Sequence, residues 1–234
     1  MSTTIRILSA GAPKLGVGRC AETFAQKTGL DVAVEFATAP ALRARIEQGD
    51  TGADILVAPV PHMEKYASSG QVVAGTQTAV GAVRAGVAIR AGAQRPDLSS
   101  VESLKQALLE ADAVLYNTAS SGQYIEELIG RLGLAEALTS KTGRFPTGSA
   151  VMVRLAEGTA AREIGFGQIT EIIRFRDGVQ LVGPLPEGIG KTTSYAAALL
   201  AAAPDAEHAR ALLTFMASAE ARHIYAEAGL EASS

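Results

Sequence analysis

Four short stretches of small or hydroxylated residues stand where a strand is predicted to give way to a helix: 10–14 (AGAPK), 38–41 (TAPA), 120–122 (SSG) and 148–150 (GSA). A helix N-terminus exposes N–H groups that have no intrahelical partner, together with a partial positive charge. Several such ends aimed at one place bind an anion, and small side chains let the ligand reach the backbone. Taken singly, each stretch is an ordinary N-cap. As a set, with Lys14, Arg84 and Lys191 as candidate cations and Thr38 among the cap residues, they point to a carboxylate or an oxyanion.

Other motifs fail on position. Gly16-Val-Gly18-Arg-Cys-Ala21 spells a dinucleotide fingerprint, with Glu35 suitably downstream. That fingerprint needs its glycines in the turn directly after a strand, whereas residues 10–15 intervene here. EGIGKTT (187–193) mimics a phosphate loop, but the position that requires the first glycine holds Leu185. Cys20 is the only cysteine, so no intramolecular disulfide forms, and its place in a predicted helix reads as a small buried hydrophobe rather than a reactive thiol. His62, His208 and His223 are scattered, so neither a metal site nor any cofactor is expected. The net charge of −3 comes from a mixed surface with no basic stripe, which argues against nucleic acid as a partner. No run approaches the ~20 apolar residues of a membrane span, and no membrane insertion is expected. The N-terminus enters a strand without a secretory leader, so the sequence as written predicts a cytoplasmic protein, or a periplasmic one if a leader has been removed.

The elements that must hold these residues alternate in type. IRILS (5–9), DVAVEFA (31–37) and ADILVAP (53–59) read as short apolar strands, separated by helices over about 14–28 and 40–48. Repeated strand–helix–strand units mean a mainly parallel sheet covered by helices. Residues 77–92 break the rhythm with a long β-prone stretch, read as a crossing between lobes. Alternation then restarts. Ser99 and Glu102 predict a capping box, AVLY (113–116) a strand, and NTASSG (117–122) a polar loop into the next helix. A helix follows at 149–157, with strands at 162–166 and 179–182. A second β-prone stretch begins at Lys191, and Asp205 caps one final helix that runs to about Ala228. Lobe one is thus about 1–82 plus 196–234 and lobe two 83–195.

VEFATAPALRARIEQGDTGADILVA (34–58), SSGQYIEELIGRLGL (120–134), AEGTAAREIGFGQITEI (156–172) and LLTFMASAEARHIYAEAGL (212–230) together resemble type II periplasmic solute-binding proteins, the molybdate-binding branch in particular. The resemblance runs from about residue 4 to 231. It implies an α/β fold of two Rossmann-like lobes joined by two crossing strands, with a small anion held in the cleft between them and an ABC permease as partner if the chain is exported. The positions matching that branch's two serine donors are Ala12 and Ala39, and Gln168 stands in place of its tyrosine. Its remaining contacts fall near Ser121 and Ser149. Losing two hydroxyls and a phenol argues against molybdate, because a desolvated oxyanion needs its hydrogen bonds completed. Arg84, in the crossing segment, favours an organic di- or tricarboxylate, although a surface or interlobe ion pair would equally explain it. QITEIIRFRDGVQLVGPLP (168–186) also resembles the branch that includes aconitate isomerase, which moves a double bond in a tricarboxylate by proton transfer. Three roles follow: a binding protein for an organic polyanion, an isomerase of the aconitate type, or an intracellular ligand sensor. A molybdate- or tungstate-binding transporter component stays open as a variant of the first. For the isomerase, Tyr124, Tyr195, Lys14 and Glu35 are all candidate bases, and the residues do not choose among them.

Overall fold

The computed structural model describes residues 4–49 and 51–232; the side chain of Ala39 lies outside the described residues. The chain forms two compact units, Met1–Val83 with Thr193–Ser234, and Arg84–Thr192.

The first unit opens with β1 (Thr4–Ala10), α1 (Lys14–Thr28), β2 (Asp31–Ala37), α2 (Ala39–Gln48), β3 (Ile55–Pro59) and α3 (Val60–Ser68). β1 lies between β2 and β3 and is parallel to both. Both βα units close locally. α1 ends at Gly29, whose φ of 73° is left-handed and lets its N–H return to the Ala25 carbonyl. Thr38 caps α2, accepting from the Ala41 N–H at 3.4 Å. β3 and the part of β1 beyond exposed Arg6 are buried almost throughout, in keeping with their mainly apolar residues, whereas β2 at the edge alternates exposed and half-buried residues. The core joins Ile5, Ile7, Leu56, Met63, Leu212 and Met216. Buried Asp54 ties this sheet to a distant turn, accepting from the Arg6 and Asp205 N–H groups at 2.8 Å each.

Two strands carry the chain across. β4 (Thr78–Arg90) leaves the first unit after Val83, and β9 (Thr192–Leu199) re-enters it at Thr193 and pairs antiparallel with β3. The second unit holds α4 (Val101–Glu110), β5 (Ala113–Asn117), α5 (Ser120–Arg131), α6 (Ala135–Leu138), β6 (Thr142–Phe145), α7 (Gly148–Glu157), β7 (Glu163–Gln168), α8 (Ile169–Ile172) and β8 (Val179–Pro184). β5 is parallel to β6 on one side and β7 on the other. β4 pairs antiparallel with both β7 and β8. One core lies on the α4–α5 side, around Leu104, Leu108, Ile125 and Phe166; a smaller one packs α7 through Val151, Met152 and Leu155. The chain finishes in the first unit with α9 (Ala206–Met216) and α10 (Ala219–Glu227).

Several local expectations are corrected. The cap of α4 is Ser100, which accepts from the Ser103 N–H at 3.0 Å, because Asp97 claims both the N–H and the hydroxyl of Ser99. Glu102, expected in the box, pairs instead with Lys105. The loop 117–122 is shorter than its polarity suggested, since α5 starts at Ser120. The final helix is two helices: the chain breaks at Ala217, and Ser218 recaps it by accepting from the Ala221 N–H at 3.1 Å. The Gly16–Gly18 motif is helical, inside α1. A Cβ on Gly16 would lie 2.8 Å from Leu230 Cδ1 and 3.1 Å from Tyr225 Cδ1, so that glycine allows α1 to approach α10.

Candidate functional site

In the first unit, β1 and β2 run parallel in register to Ala10 and Ala37, so the starts of α1 and α2 stand side by side at the carboxyl ends of neighbouring strands. This is where open α/β sheets present backbone N–H groups to ligands. Ala12 is half-buried in the turn and Lys14 is exposed at the first position of α1. The Lys14 ammonium sits 5.0 Å from the centre of the Phe36 ring, a contact that the sequence did not signal. Thr38 is the α2 cap described above. Ala39 begins α2, its side chain being outside the described residues. These positions form one half-site.

The second unit repeats the arrangement. α5 follows β5 and α7 follows β6, and the adjacent strand ends are tied by the Thr118 N–H donating to the Phe145 carbonyl at 2.8 Å. Ser121 lies in the first turn of α5 and Ser149 in the first turn of α7. Gln168 ends β7 and pairs with Ala85 of β4, the residue after exposed Arg84. The Ala85 N–H in turn donates to the Lys191 carbonyl at 2.8 Å. Arg84, Ser121, Ser149, Gln168 and Lys191 are therefore gathered at one end of this unit's sheet. The Lys191 ammonium lies 4.6 Å from the centre of the Tyr124 ring.

Two residues that the sequence reading missed organise this second half-site. Asn117, 2% exposed, accepts through Oδ1 from the Ala119 N–H at 2.9 Å and the Gly122 N–H at 3.2 Å. Its Nδ2 donates to Ser121 Oγ at 3.0 Å, so one amide orients the whole first turn of α5. An Asn just ahead of a helix start, able to bond its own backbone two residues on, was the available signal. The second is Glu171 in α8. Its carboxylate accepts from Ser149 Oγ at 3.3 Å, and a Cβ on Gly148 would fall 1.9 Å from its Oε2. No local pattern places that carboxylate at the start of α7, because the packing of α8 beside α7 does so.

The remaining reactive candidates are engaged elsewhere. Tyr124 donates its phenol to the Ile189 carbonyl at 2.9 Å, and Tyr195 is buried within β9. Glu35 is ion-paired with Arg45 on the exposed side of β2. Cys20 is fully buried and takes a 3.5 Å contact from the Tyr225 hydroxyl; burial pushes its thiol up to about 11, which makes it a poor nucleophile at neutral pH. The second unit also holds a cavity of about 720 Å³ lined by Arg95, Asp97, Ser103, Glu110 and Arg162. Its lining charges are mixed, and none of the expected residues reaches it.

A family model described as bacterial extracellular solute-binding protein matches residues 5–231. The chain is 29% identical to an aconitate isomerase from Pseudomonas sp, with 98% of this chain and 88% of that protein covered. Among solved structures it is similar to the periplasmic molybdate-binding protein of Azotobacter vinelandii, with a TM-score of 0.79 at 17% identity over 98% of this chain and 100% of that one. It is also similar to the substrate-binding domain of a molybdenum ABC transporter from Clostridium difficile, with a TM-score of 0.73 at 18% identity over 99% of both chains. At such identities the two structures establish the fold, the type II arrangement of molybdate-binding proteins.

Proposed function

The chain belongs to the bacterial extracellular solute-binding protein family, and from that membership we propose that it binds a small organic polyanion, a di- or tricarboxylate, in preference to a molybdate-type oxyanion. The observation that carries this reading is the pair of half-sites. In each unit, helix N-termini stand together at the carboxyl ends of neighbouring parallel strands, α1 with α2 and α5 with α7. Their N–H groups supply generic anion affinity. Side chains then decide the class. Arg84 is exposed beside Gln168's strand partner, and a guanidinium grips a carboxylate through two parallel bonds. Lys14 and Lys191 add point charges. Alanine at positions 12 and 39 offers no hydroxyl to complete the shell of a desolvated tetrahedral oxyanion.

In this reading Ser121, Ser149 and Gln168 are polar partners of the ligand, and binding shifts the population toward the conformation that engages it. An exported form of the chain would deliver its solute to an ABC permease. The test is a thermal-shift panel of molybdate, tungstate, sulfate, phosphate, citrate, malate and both aconitates. A ligand at 100 times its Kd stabilises the folded state by about 2.7 kcal/mol, which for a chain of this size raises Tm by about 5–10 °C. Shifts with carboxylates are expected. Shifts confined to molybdate and tungstate refute the preference, because backbone amides would then suffice without the serines.

The likeness to an aconitate isomerase over nearly the whole chain favours a second reading, proton transfer on a bound tricarboxylate. Proton NMR of cis-aconitate incubated with the protein in deuterated buffer would show the trans isomer and isotope uptake. An unchanged spectrum removes that substrate.

A further inference from the structure

The loop EGIGK (187–191), which lacks the first glycine of a phosphate loop, is pinned within the second unit by three hydrogen bonds. Its flanks close on one residue: the Leu185 N–H donates to the Ala85 carbonyl at 3.2 Å, and the Ala85 N–H donates to the Lys191 carbonyl at 2.8 Å. Between them, the Tyr124 hydroxyl donates to the Ile189 carbonyl at 2.9 Å. Leu185 is buried, and Ile189 and Tyr124 pack against the same core. The loop therefore delivers Lys191 to a fixed place, where its ammonium lies 4.6 Å from the centre of the Tyr124 ring. Tyr124 follows Ser121 by three residues on α5, about 4.5 Å along the helix and on the same face. Helical side chains lean toward the helix N-terminus, so the ring stands by the turn that contains Ser121. The lysine's charge is not cancelled there: among the described residues no carboxylate pairs with it. The Arg131 guanidinium, 5.3 Å from the centre of the same ring, adds a second positive charge. A ring face attracts an ammonium without neutralising it, which leaves the charge available to an anion. A stem already ordered in this way also loses less freedom when a ligand docks.

We propose that Tyr124 is a positioning residue of the second half-site: its ring and its hydroxyl together hold the Lys191 ammonium ready for a carboxylate of the ligand. The inference rests on the reading that a small anion binds at this half-site. Tyr124 acts through Lys191 rather than as a base, since its phenol proton is given to the Ile189 carbonyl. The hydroxyl fixes the loop and the ring fixes the end of the lysine stem. A ligand carboxylate then meets a placed cation and forms a charge-assisted bond with it.

The test is calorimetric titration of the full chain with citrate, read as a double-mutant cycle. Lys191→Met should weaken binding about tenfold. Tyr124→Leu should weaken it about fivefold by itself, and by under about twofold in the Lys191→Met background. Tyr124→Phe keeps the ring and should lose clearly less than Tyr124→Leu. A tyrosine that merely supports the fold would cost the same in both backgrounds, and that result overturns the inference while the carboxylate reading stands. Unchanged affinity in Lys191→Met, or equal losses in the Phe and Leu variants, overturns it too. A second readout needs no folded Tyr124 variant. Lysines of the wild-type chain are dimethylated with isotope-labelled formaldehyde, and the Lys191 methyl signal is assigned by its absence from Lys191→Met. The ring should move that signal upfield of free dimethyl-lysine, and citrate should move it again. A signal at the free position, or one that bound citrate leaves in place, overturns the inference. Should no carboxylate bind, the cycle is run with molybdate: the same coupling upholds the role of Tyr124 while the carboxylate reading falls. Independent losses with molybdate, or no binding of it, then overturn both.

Discussion

Asn117→Ala is the sharpest probe of how the second half-site is held. The wild-type amide satisfies two N–H groups at the start of α5, Ala119 and Gly122, which a helix cannot satisfy from within. Ala119 is half-buried, so water can replace part of its lost bond, and its share resembles an ordinary cap, about 1 kcal/mol. Gly122 is buried, and its orphaned N–H costs about 1–3 kcal/mol. The expected loss is therefore about 2–4 kcal/mol, a large part of the 5–15 kcal/mol typical of a folded domain. Urea unfolding followed by circular dichroism should show an earlier transition at unchanged slope. Hydrogen exchange should be faster in the peptide covering α5. Asn117→Asp keeps the Oδ acceptors and places negative charge at a helix N-terminus, so it should recover more than half of the loss. A loss below about 0.5 kcal/mol in Asn117→Ala, or equal losses in the two variants, refutes the idea that this side chain organises the turn.

Three further expectations can be checked by the same unfolding and labelling methods. Gly122→Ala places a Cβ 1.5 Å from the Asn117 carbonyl oxygen, a backbone atom that cannot swing aside, and should cost about 3 kcal/mol; a neutral result would mean α5 shifts freely. Arg154→Met removes the partner of Glu163, whose side chain is 2% exposed and bonded at 2.7 Å, and should cost about 3 kcal/mol because a buried carboxylate is left unpaired. Cys20 should resist a thiol reagent at pH 8 until urea is added. Its folded value, raised by burial from 9.0 to about 11, means the native state holds the proton more tightly than the unfolded one. The thiol's contribution is thus fully present below about pH 9 and lost as pH rises toward 11. Unchanged stability across that interval would contradict the burial argument.

Much of this molecule is determined by short-range sequence. Apolar strands, glycine stops such as Gly29 and hydroxyl caps such as Thr38 act within a few residues, which is why the strand–helix alternation and the α/β class are legible without coordinates. The same locality places helix starts after β1, β2, β5 and β6. Where a cap signal is duplicated, tertiary and neighbouring contacts choose. Asp97 withdraws Ser99, so Ser100 caps α4. Ser218 divides α9 from α10 within a pattern that reads as one apolar-faced helix. The half-site chemistry depends still more on long-range packing. Ser149 reads as a donor from its place in the chain, but Glu171, 22 residues away, takes its proton. Gln168 reads as a polar partner, but at the end of β7, paired with β4, it is buried, and its Oε1 has no hydrogen-bond partner among the described residues. Which elements form depends on each residue's own backbone preferences and near neighbours. Whether a hydroxyl gives or receives depends on what the fold brings against it, and that information is spread over separate strands and helices.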